Sequence, residues 1–184
     1  SIGPFLALTF PIELYRKEPR PFTNIAFTLQ GIMYVGVPFA LLHGLAFIQG
    51  TYRYEPILSL FLLLWAHDTG AYLVGTSMGR HKLFQRVSPN KSWEGSIGGA
   101  SLTLLTGYIM RHHAPGIYQE HWLAVASIVI IAGTYGDLVE SMLKRSLQVK
   151  DASQMIPGHG GLLDWFDSFL LSIPFIMAYV ALVH

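Results

Sequence analysis

Apolar residues are concentrated in five long stretches of the chain, and the short connections between them hold most of the charged residues. A membrane-spanning helix needs about 20 consecutive, mostly apolar residues, and each stretch is close to that length. The stretches run over residues 31–48, 56–78, 93–110, 122–139 and 162–183. A shorter apolar stretch over residues 2–12 is expected to be the end of a sixth span. The pattern therefore predicts an all-α, polytopic helical bundle with five complete transmembrane helices and a partial N-terminal one.

The apolar stretches follow one another without an internal repeat, a low-complexity segment or a linker that would separate two domains. We therefore expect a single transmembrane domain over residues 1–184, lacking N-terminal transmembrane helices of a longer protein. Glycine, serine, threonine and alanine are frequent inside the stretches, and small residues allow membrane helices to pack with their backbones close together. Close packing of the same kind between two copies of the chain would give a homodimer, which the sequence leaves open.

Composition supports a membrane protein and excludes several classes of function. Charged residues make up 12% of the chain and hydrophobic residues 52%, with a mean hydropathy of +0.42, whereas soluble domains carry about 25% charged residues. The chain contains no cysteine, which excludes disulfides, thiol chemistry and thiolate metal sites. A net charge of +1 gives no support for a nucleic-acid partner.

The distribution of lysine and arginine predicts the orientation of the spans. Three alternate connections, over residues 13–30, 79–92 and 140–161, hold all but two of these basic residues. The two exceptions, Arg53 and Arg111, fall in the remaining connections. Because basic connections stay on the cytoplasmic side of a membrane, we expect residues 79–92 and 140–161 to face the cytoplasm.

Charged groups are most crowded between residues 137 and 167, beside two apolar stretches. Ionisable residues at membrane depth are costly and usually mark function. On a helix, Asp137, Ser141 and Lys144 share one face, and Asp164 and Asp167 share another. Carboxylates are the ligands that Mg²⁺ prefers, and two-metal sites of this kind assist phosphoryl transfer. The pattern thus predicts a magnesium-assisted phosphate site, with one or two metal ions.

Two further interpretations of this segment stay open at this stage. Lys144 and Arg145 lie at a helix end, where basic residues serve as topology anchors, and Lys144 can also pair with Glu140 one helical turn away. The glycines around His159 precede a predicted helix, where free backbone N–H groups favour an anion. The same glycines are also compatible with a plain turn.

A second polar loop, over residues 79–96, and the isolated Asp68 are also candidates for a functional role. In the loop over residues 79–96, Ser88, Pro89 and Asn90 indicate a turn, and Ser92 is expected to cap the following helix. Ser88, Asn90 and Lys91 could instead form a nucleotide or phosphate clamp. Asp68 lies near the middle of a predicted span, beside His67, where it could serve helix packing, a proton path or catalysis.

Residues 141–167 resemble the signature of the phosphatidate cytidylyltransferase family, the CDP-diacylglycerol synthases. That signature reads S-x-apolar-K-R, four residues, K-D, and then P-x-H-G-G-x-x-D-R-x-D. The residues in register are Ser141, Lys144, Arg145, Lys150, Asp151, Pro157, His159, Gly160, Gly161, Asp164 and Asp167. The stretch SPNKSWEG (residues 88–95) is similar to a second conserved stretch of the family, and DTGAYLVG (residues 68–75) to a third.

The resemblance implies a nucleotidyltransferase of phospholipid biosynthesis, which converts CTP and phosphatidic acid to CDP-diacylglycerol and pyrophosphate with Mg²⁺. It implies a bacterial cytoplasmic membrane as the location, with the active site facing the cytoplasm and membrane lipids as partners. The metal ligands implied are Asp151, Asp164, Asp167 and Asp137. The catalytic, phosphate-contacting residues implied are Lys144, Arg145, Lys150 and His159. Ser88, Asn90, Lys91 and Ser141 are implied to bind CTP.

Two alternatives remain at this point. A secondary transporter could use Asp68 and the carboxylates of residues 137–167 as an ion path, although no internal repeat typical of transporters is found. Alternatively, the chain is a catalytically impaired family member, because Trp165 stands where the family signature has an arginine.

Overall fold

The computed structural model describes residues 3–16, 19–48, 50–112, 117–146 and 162–183, and it confirms the all-α prediction. Within these residues the chain forms six helices. They are α1 (Gly3–Tyr15), α2 (Pro21–Ala46), α3 (Glu55–Met78), α4 (Trp93–Met110), α5 (Ile117–Ser146) and α6 (Leu162–Val183). Each of the five complete predicted spans corresponds to one of the helices α2 to α6.

Four of the described helices, α2, α3, α5 and α6, are long and apolar enough to cross a membrane. The helix α4 was also predicted to span, but its 18 residues are rich in glycine, serine and threonine, and it does not join these four. Helix α2 begins ten residues before the predicted stretch 31–48. The added turns contain Asn24 and Gln30, which lower the local hydropathy without breaking a helix.

The chain divides into two compact units, residues 1–40 and residues 41–184. The first unit contains α1 and most of α2. In this unit the buried carboxylate of Glu13 accepts a hydrogen bond of 2.6 Å from the Asn24 side-chain amide. Glu13 also lies 3.8 Å from the Arg16 guanidinium. These contacts satisfy a carboxylate that would be costly to bury alone. The single domain expected over the whole chain remains a prediction.

The second unit is built around α3, α4, α5 and α6. Helix α3 packs most extensively on α4, and α5 packs on α6. The buried core is aliphatic and aromatic, and its main residues are Leu60, Leu63, Leu64, Val125, Val129, Phe169, Ile173 and Ile176. Glycines allow α3 and α4 to touch: a Cβ added at Gly70 would lie 2.7 Å from the carbonyl oxygen of Gly98. The small residues therefore have the packing role that the sequence predicted.

A short antiparallel hairpin connects α3 to α4. Its strands are β1 (Lys82–Phe84) and β2 (Ser88–Ser92), with Lys82 opposite Ser92. The predicted turn at Ser88, Pro89 and Asn90 was wrong, because these residues lie on β2 and the turn is formed by residues 85–87. Pro89 is tolerated because every strand of a two-stranded ribbon has an open edge. As predicted, Ser92 caps α4, and its hydroxyl accepts a hydrogen bond from the Gly95 N–H at 3.1 Å.

Candidate active site

A cavity of about 670 Å³ lies where the hairpin meets α3, α4, α5 and α6. Its walls bring together residues that are far apart in the sequence. The strand β2 contributes Ser88, Asn90 and Lys91, while α5 contributes Asp137 and α6 contributes Asp167. Five of the residues predicted for CTP or metal binding therefore line one cavity in the second unit of the chain.

The hairpin presents its polar side chains to this cavity because β2 is extended and leads directly into the capped start of α4. Lys91 is the best anchored of these side chains. Its ammonium group forms an ion pair with the Asp137 carboxylate of α5, and the two side chains are only 25% and 32% exposed. This half-buried pair connects the hairpin to α5 and fixes one cation and one anion at the cavity wall.

The carboxylates of Asp137 and Asp167 reach the same cavity because α5 and α6 are in close contact at this level. A Cβ added at Gly136 would lie 2.6 Å from the carbonyl oxygen of Asp167 and 3.0 Å from Cα of Ser168. One turn earlier on α5, the carbonyl oxygen of Gly133 accepts a hydrogen bond of 3.2 Å from the buried Ser168 hydroxyl. The absence of a side chain at Gly136 thus allows the two carboxylates to approach one another.

A third carboxylate, Asp68 of α3, also lines the cavity, next to the buried His67. The His67 Nδ1 lies 3.4 Å from the Asp68 carboxylate, and its Nε2 lies 3.2 Å from the Thr134 hydroxyl of α5. Because that hydroxyl donates to the Ile130 carbonyl oxygen at 2.7 Å, it is placed to accept from an Nε2–H of His67. The histidine therefore bridges α3 and α5 at the cavity wall.

Several lining residues were not predicted as site residues. Asp68 and His67 were singled out as unusual at membrane depth, and that signal did point to the cavity. Thr134, Tyr72 and Lys82 gave no comparable signal, because their place in the wall depends on how the helices are rotated and how the hairpin is folded. Lys82 in particular reaches the cavity through its pairing with Ser92 across the hairpin.

Three predicted residues on α5 do not line the cavity formed by the described residues: Ser141, Lys144 and Arg145. Lys144 instead forms the predicted i, i+4 ion pair with the buried Glu140, at 2.6 Å. Arg145 is exposed near the end of α5.

The remaining predicted residues fall outside what the structure describes. Lys150, Asp151 and His159 lie in the segment between α5 and α6, which is outside the described residues. Asp164 belongs to the first turn of α6, but its side chain is outside the described part as well. Their roles in catalysis and metal binding stay predictions.

The carboxylates of the cavity have the chemistry that a hard divalent cation requires. Asp137 and Asp167, the two described members of the predicted ligand set, both line the cavity, and Asp68 adds further oxygen donors. Among the residues that the structure describes, no three acidic or histidine side chains converge closely enough to hold a metal ion. The donor type therefore fits Mg²⁺, while Mg²⁺ itself remains part of the proposal below.

Comparison with known proteins decides the family. The model of the cytidylyltransferase family matches residues 2–183, nearly the whole chain. The chain belongs to the cytidylyltransferase family. This confirms the resemblance found from the motifs at residues 68–75, 88–95 and 141–167.

Curated relatives of this cytidylyltransferase-family protein are named phosphatidate cytidylyltransferase. The chain is 38% identical over 176 residues to the protein from Staphylococcus epidermidis strain RP62A. It is 39% identical over 176 residues to that from Staphylococcus aureus strain COL. Both matches cover 93% of the chain and 66% of the relative, so the chain spans just under two thirds of their length. The bacterial relatives and the four candidate spans indicate a bacterial membrane protein.

Proposed function

We propose that this protein is a phosphatidate cytidylyltransferase, which transfers the cytidylyl group of CTP to phosphatidic acid. The observation that carries the proposal is the single cavity lined by Ser88, Asn90 and Lys91 of the hairpin and by Asp137 and Asp167 of the helix pair. Each of the three motifs that resemble the cytidylyltransferase family contributes residues to this cavity, since residues 68–75 supply Asp68 and Tyr72. Relatives of this name match most of the chain.

The size and polarity of the cavity suit a nucleotide. A volume of about 670 Å³ falls inside the range of roughly 300–1,000 Å³ typical of small-molecule sites. Lys91 and Lys82 supply positive charge for a triphosphate, and Ser88 and Asn90 supply hydrogen-bonding groups. The Lys91–Asp137 pair holds one of these cations in position before the nucleotide binds, which reduces the ordering needed on binding.

The proposed reaction is an in-line displacement at phosphorus. An oxygen of the phosphatidate phosphate attacks the α-phosphorus of CTP and forms a new phosphoanhydride bond, while the bond between the α-phosphorus and its bridging oxygen to the β-phosphorus breaks. Pyrophosphate leaves with the electron pair of that bond. Because displacement at phosphorus leaves little covalent chemistry for the protein to do, catalysis rests on positioning and on stabilising negative charge. Lys91 and Lys82 are placed to meet that charge at the cavity wall.

In this proposal Asp137 and Asp167 would hold Mg²⁺, together with Asp151 and Asp164 from the signature. A metal bound there would neutralise phosphate charge and help to align the reacting groups. The helix contact at Gly136 orients both described carboxylates toward the cavity. The ion pair with Lys91 holds the Asp137 side chain at the phosphate-binding side of the cavity.

The position of the cavity suits a reaction between one water-soluble substrate and one lipid substrate. Asp68, Asp137 and Asp167 lie on candidate spans, whereas the hairpin lies between α3 and α4, beyond the end of the α3 span. A water-soluble nucleotide can enter from the hairpin side and a lipid from the bilayer side. The lysine and arginine distribution supports a cytoplasmic location for the hairpin side, where CTP is available.

The proposal is tested by assaying the purified full-length protein for conversion of labelled CTP to a CDP-lipid. We expect product only when phosphatidate and Mg²⁺ are both present, with one pyrophosphate released for each lipid formed. Replacing phosphatidate by diacylglycerol, which has no phosphate nucleophile, should give no product. Absence of turnover in the full-length wild type and in its Trp165→Arg variant would reject the proposal.

The same assay tests the alternative of an impaired family member. An arginine at position 165 could hold a phosphate or orient the flanking carboxylates, and a tryptophan can do neither. We expect Trp165→Arg to increase turnover, whereas Trp165→Phe, which keeps an apolar aromatic side chain, should leave it close to wild type. Equal rates for wild type and Trp165→Arg would contradict the idea that Trp165 limits the enzyme.

A further inference from the structure

A second, shallow groove of about 710 Å³ lies beside the hairpin, against the first turns of α4. Its walls include two cationic side chains, Arg80 and Lys82, and two exposed apolar ones, Trp93 and Ile97. None of the predicted site residues lines it. We propose that this groove, here called the hairpin groove, binds the headgroup of a phosphomonoester lipid and passes it to the active-site cavity. The second half of this statement rests on the proposed cytidylyl transfer.

Among the described residues, the hairpin groove contains two cationic side chains, Arg80 and Lys82, and one carboxylate, Glu94. Its acidic residue, Glu94, is already engaged: its carboxylate accepts hydrogen bonds from the backbone N–H groups of Arg80 and His81, both at 3.2 Å. The His81 ring nitrogen Nδ1 lies 2.6 Å from the same carboxylate. Within the described part of the chain, no carboxylate forms an ion pair with the side chains of Arg80 or Lys82. Two cations are therefore available to a phosphate.

The groove also offers an apolar surface suited to an acyl chain. Trp93 and Ile97 are 57% and 63% exposed, and because they are four residues apart on α4 they lie on the same face of that helix. Tryptophan is favoured at the boundary between a membrane and water, where its ring contacts both. The adjoining helix α3 is a candidate span that ends at Met78, so the groove lies just beyond the end of a span.

Lys82 connects the hairpin groove to the active-site cavity, because its side chain lines both. It lies on β1 opposite Ser92, the neighbour of Lys91 on β2. A phosphate held by Arg80 and Lys82 could thus be transferred toward Lys91 without losing contact with a cation. A phosphomonoester carries nearly two negative charges at neutral pH, which matches a pair of cations better than a phosphodiester does.

Charge complementarity therefore favours a lipid such as phosphatidate over a neutral lipid or a phosphodiester lipid. Basic residues at the end of a span are attracted to anionic headgroups in general. A purely topological role of Arg80 would give no preference for a monoester headgroup and no difference between Arg80 and other basic residues of the same hairpin. Arg86 provides that comparison, because it lies in the hairpin turn and lines neither cavity.

The test measures binding in the absence of CTP, so its outcome does not depend on turnover. Titration calorimetry on the full-length protein in detergent micelles would use three probes: dioctanoyl phosphatidate, dioctanoylglycerol and inorganic phosphate. We expect binding of the phosphatidate only, weakened on the order of tenfold in Arg80→Gln because a charge-assisted hydrogen bond is lost. The matched variant Arg86→Gln should bind phosphatidate like the wild type.

Two results would overturn the proposal. One is an equal loss of phosphatidate binding in Arg80→Gln and Arg86→Gln, which would indicate a general surface charge effect. The other is binding of inorganic phosphate as tight as that of the lipid, which would indicate a free-anion site. If no cytidylyl transfer is detected but phosphatidate binding depends on Arg80, the lipid-binding role of the groove is supported and only the proposed reaction is rejected. In an active enzyme, Arg80→Gln should raise the KM for phosphatidate and leave the KM for CTP unchanged.

Discussion

At the scale of single residues, the pair formed by Lys91 and Asp137 is the most informative contact of the site. The sequence identified both residues, Lys91 from the SPNK stretch and Asp137 from its place on a predicted helix face. It could not show that they touch, because their contact depends on the hairpin folding back over α5. Because the pair is half-buried, water and salt screen its attraction less than that of an exposed ion pair, which contributes at most about 1 kcal/mol.

A double-mutant cycle tests this pair. We expect Lys91→Gln and Asp137→Asn each to lower kcat/KM for CTP, and the double variant to lose less than the sum of the two effects. The coupling energy should fall at about 0.5–3 kcal/mol, as for residues in direct contact. The measurement is the initial rate of CDP-lipid formation as a function of CTP concentration. A matched cycle of Arg86→Gln with Asp137→Asn should be additive, and additivity in the Lys91 cycle as well would contradict the contact.

His67 and Asp68 mark the limit of residue-level prediction. The expense of an ionisable group at membrane depth was enough to single out Asp68, and the structure places it at the cavity wall. The sequence could not decide whether Asp68 serves helix packing, proton transfer or catalysis, because the answer depends on which groups its side chain faces. Those neighbours are set by the rotation of α3 against α5, where His67 contacts Thr134.

At the scale of elements, the site depends on the close contact of α5 with α6. Gly136 lies against the backbone of Asp167 and Ser168, whereas Gly133, one turn earlier, has only ordinary contacts: a Cβ there would lie 3.7 Å from the nearest atom, in Leu64. Both glycines lie on α5 where it packs against α6, but the space available for an added side chain differs between them. The frequent small residues predicted close packing in general, but not which glycine is essential.

This difference gives a paired prediction. We expect Gly136→Ala to push α6 away at Asp167 and to destabilise the protein by about 1–3 kcal/mol, as overpacking in a close-packed interior does. Activity should fall with it, because Asp167 moves relative to Asp137. Gly133→Ala should be tolerated. Thermal unfolding in detergent and CDP-lipid formation measure the two effects, and equal behaviour of the two variants would contradict the account of this contact.

The hairpin is the element that the sequence predicted least well. Serine, proline and asparagine in succession are typical of a turn, yet here they form a strand paired with Lys82–Phe84. The fold around them explains the outcome: Glu94 and the Ser92 cap fix the start of α4, and the Trp93 N–H donates to the His81 carbonyl oxygen at 2.9 Å. These contacts draw the two ends of the loop together, which composition alone does not reveal.

At the scale of the whole molecule, the sequence was most reliable where one physical effect dominates. The length and apolarity of the stretches predicted helices α2 to α6, because a bilayer leaves few other ways to satisfy the backbone. It was less reliable for α4, whose small residues serve packing at the expense of hydropathy. The family motifs identified the chemistry, but the arrangement of the cavity required the tertiary fold.

The predicted orientation can be tested with introduced cysteines, because residues 1–184 contain none. Gln85→Cys places a single thiol at the hairpin turn, and His112→Cys places one just after α4, in the connection predicted to face the other side. We expect a membrane-impermeant maleimide to label His112→Cys in intact spheroplasts and Gln85→Cys only after permeabilisation, because basic connections stay in the cytoplasm. Labelling of Gln85→Cys in intact spheroplasts would reverse the orientation of the proposed active site.

The central claim is that the cavity lined by the hairpin, Asp137 and Asp167 carries out cytidylyl transfer. The most direct measurement is the rate of CDP-diacylglycerol formation by full-length Asp167→Asn, compared with wild type and with Glu120→Gln. Glu120 is an exposed carboxylate in the first turn of α5, at the end far from the cavity. We predict a loss of about 100-fold or more for Asp167→Asn, the scale of removing one preorganised electrostatic group, with helical content unchanged and Glu120→Gln like wild type. Turnover of Asp167→Asn within a few-fold of wild type would contradict the claim.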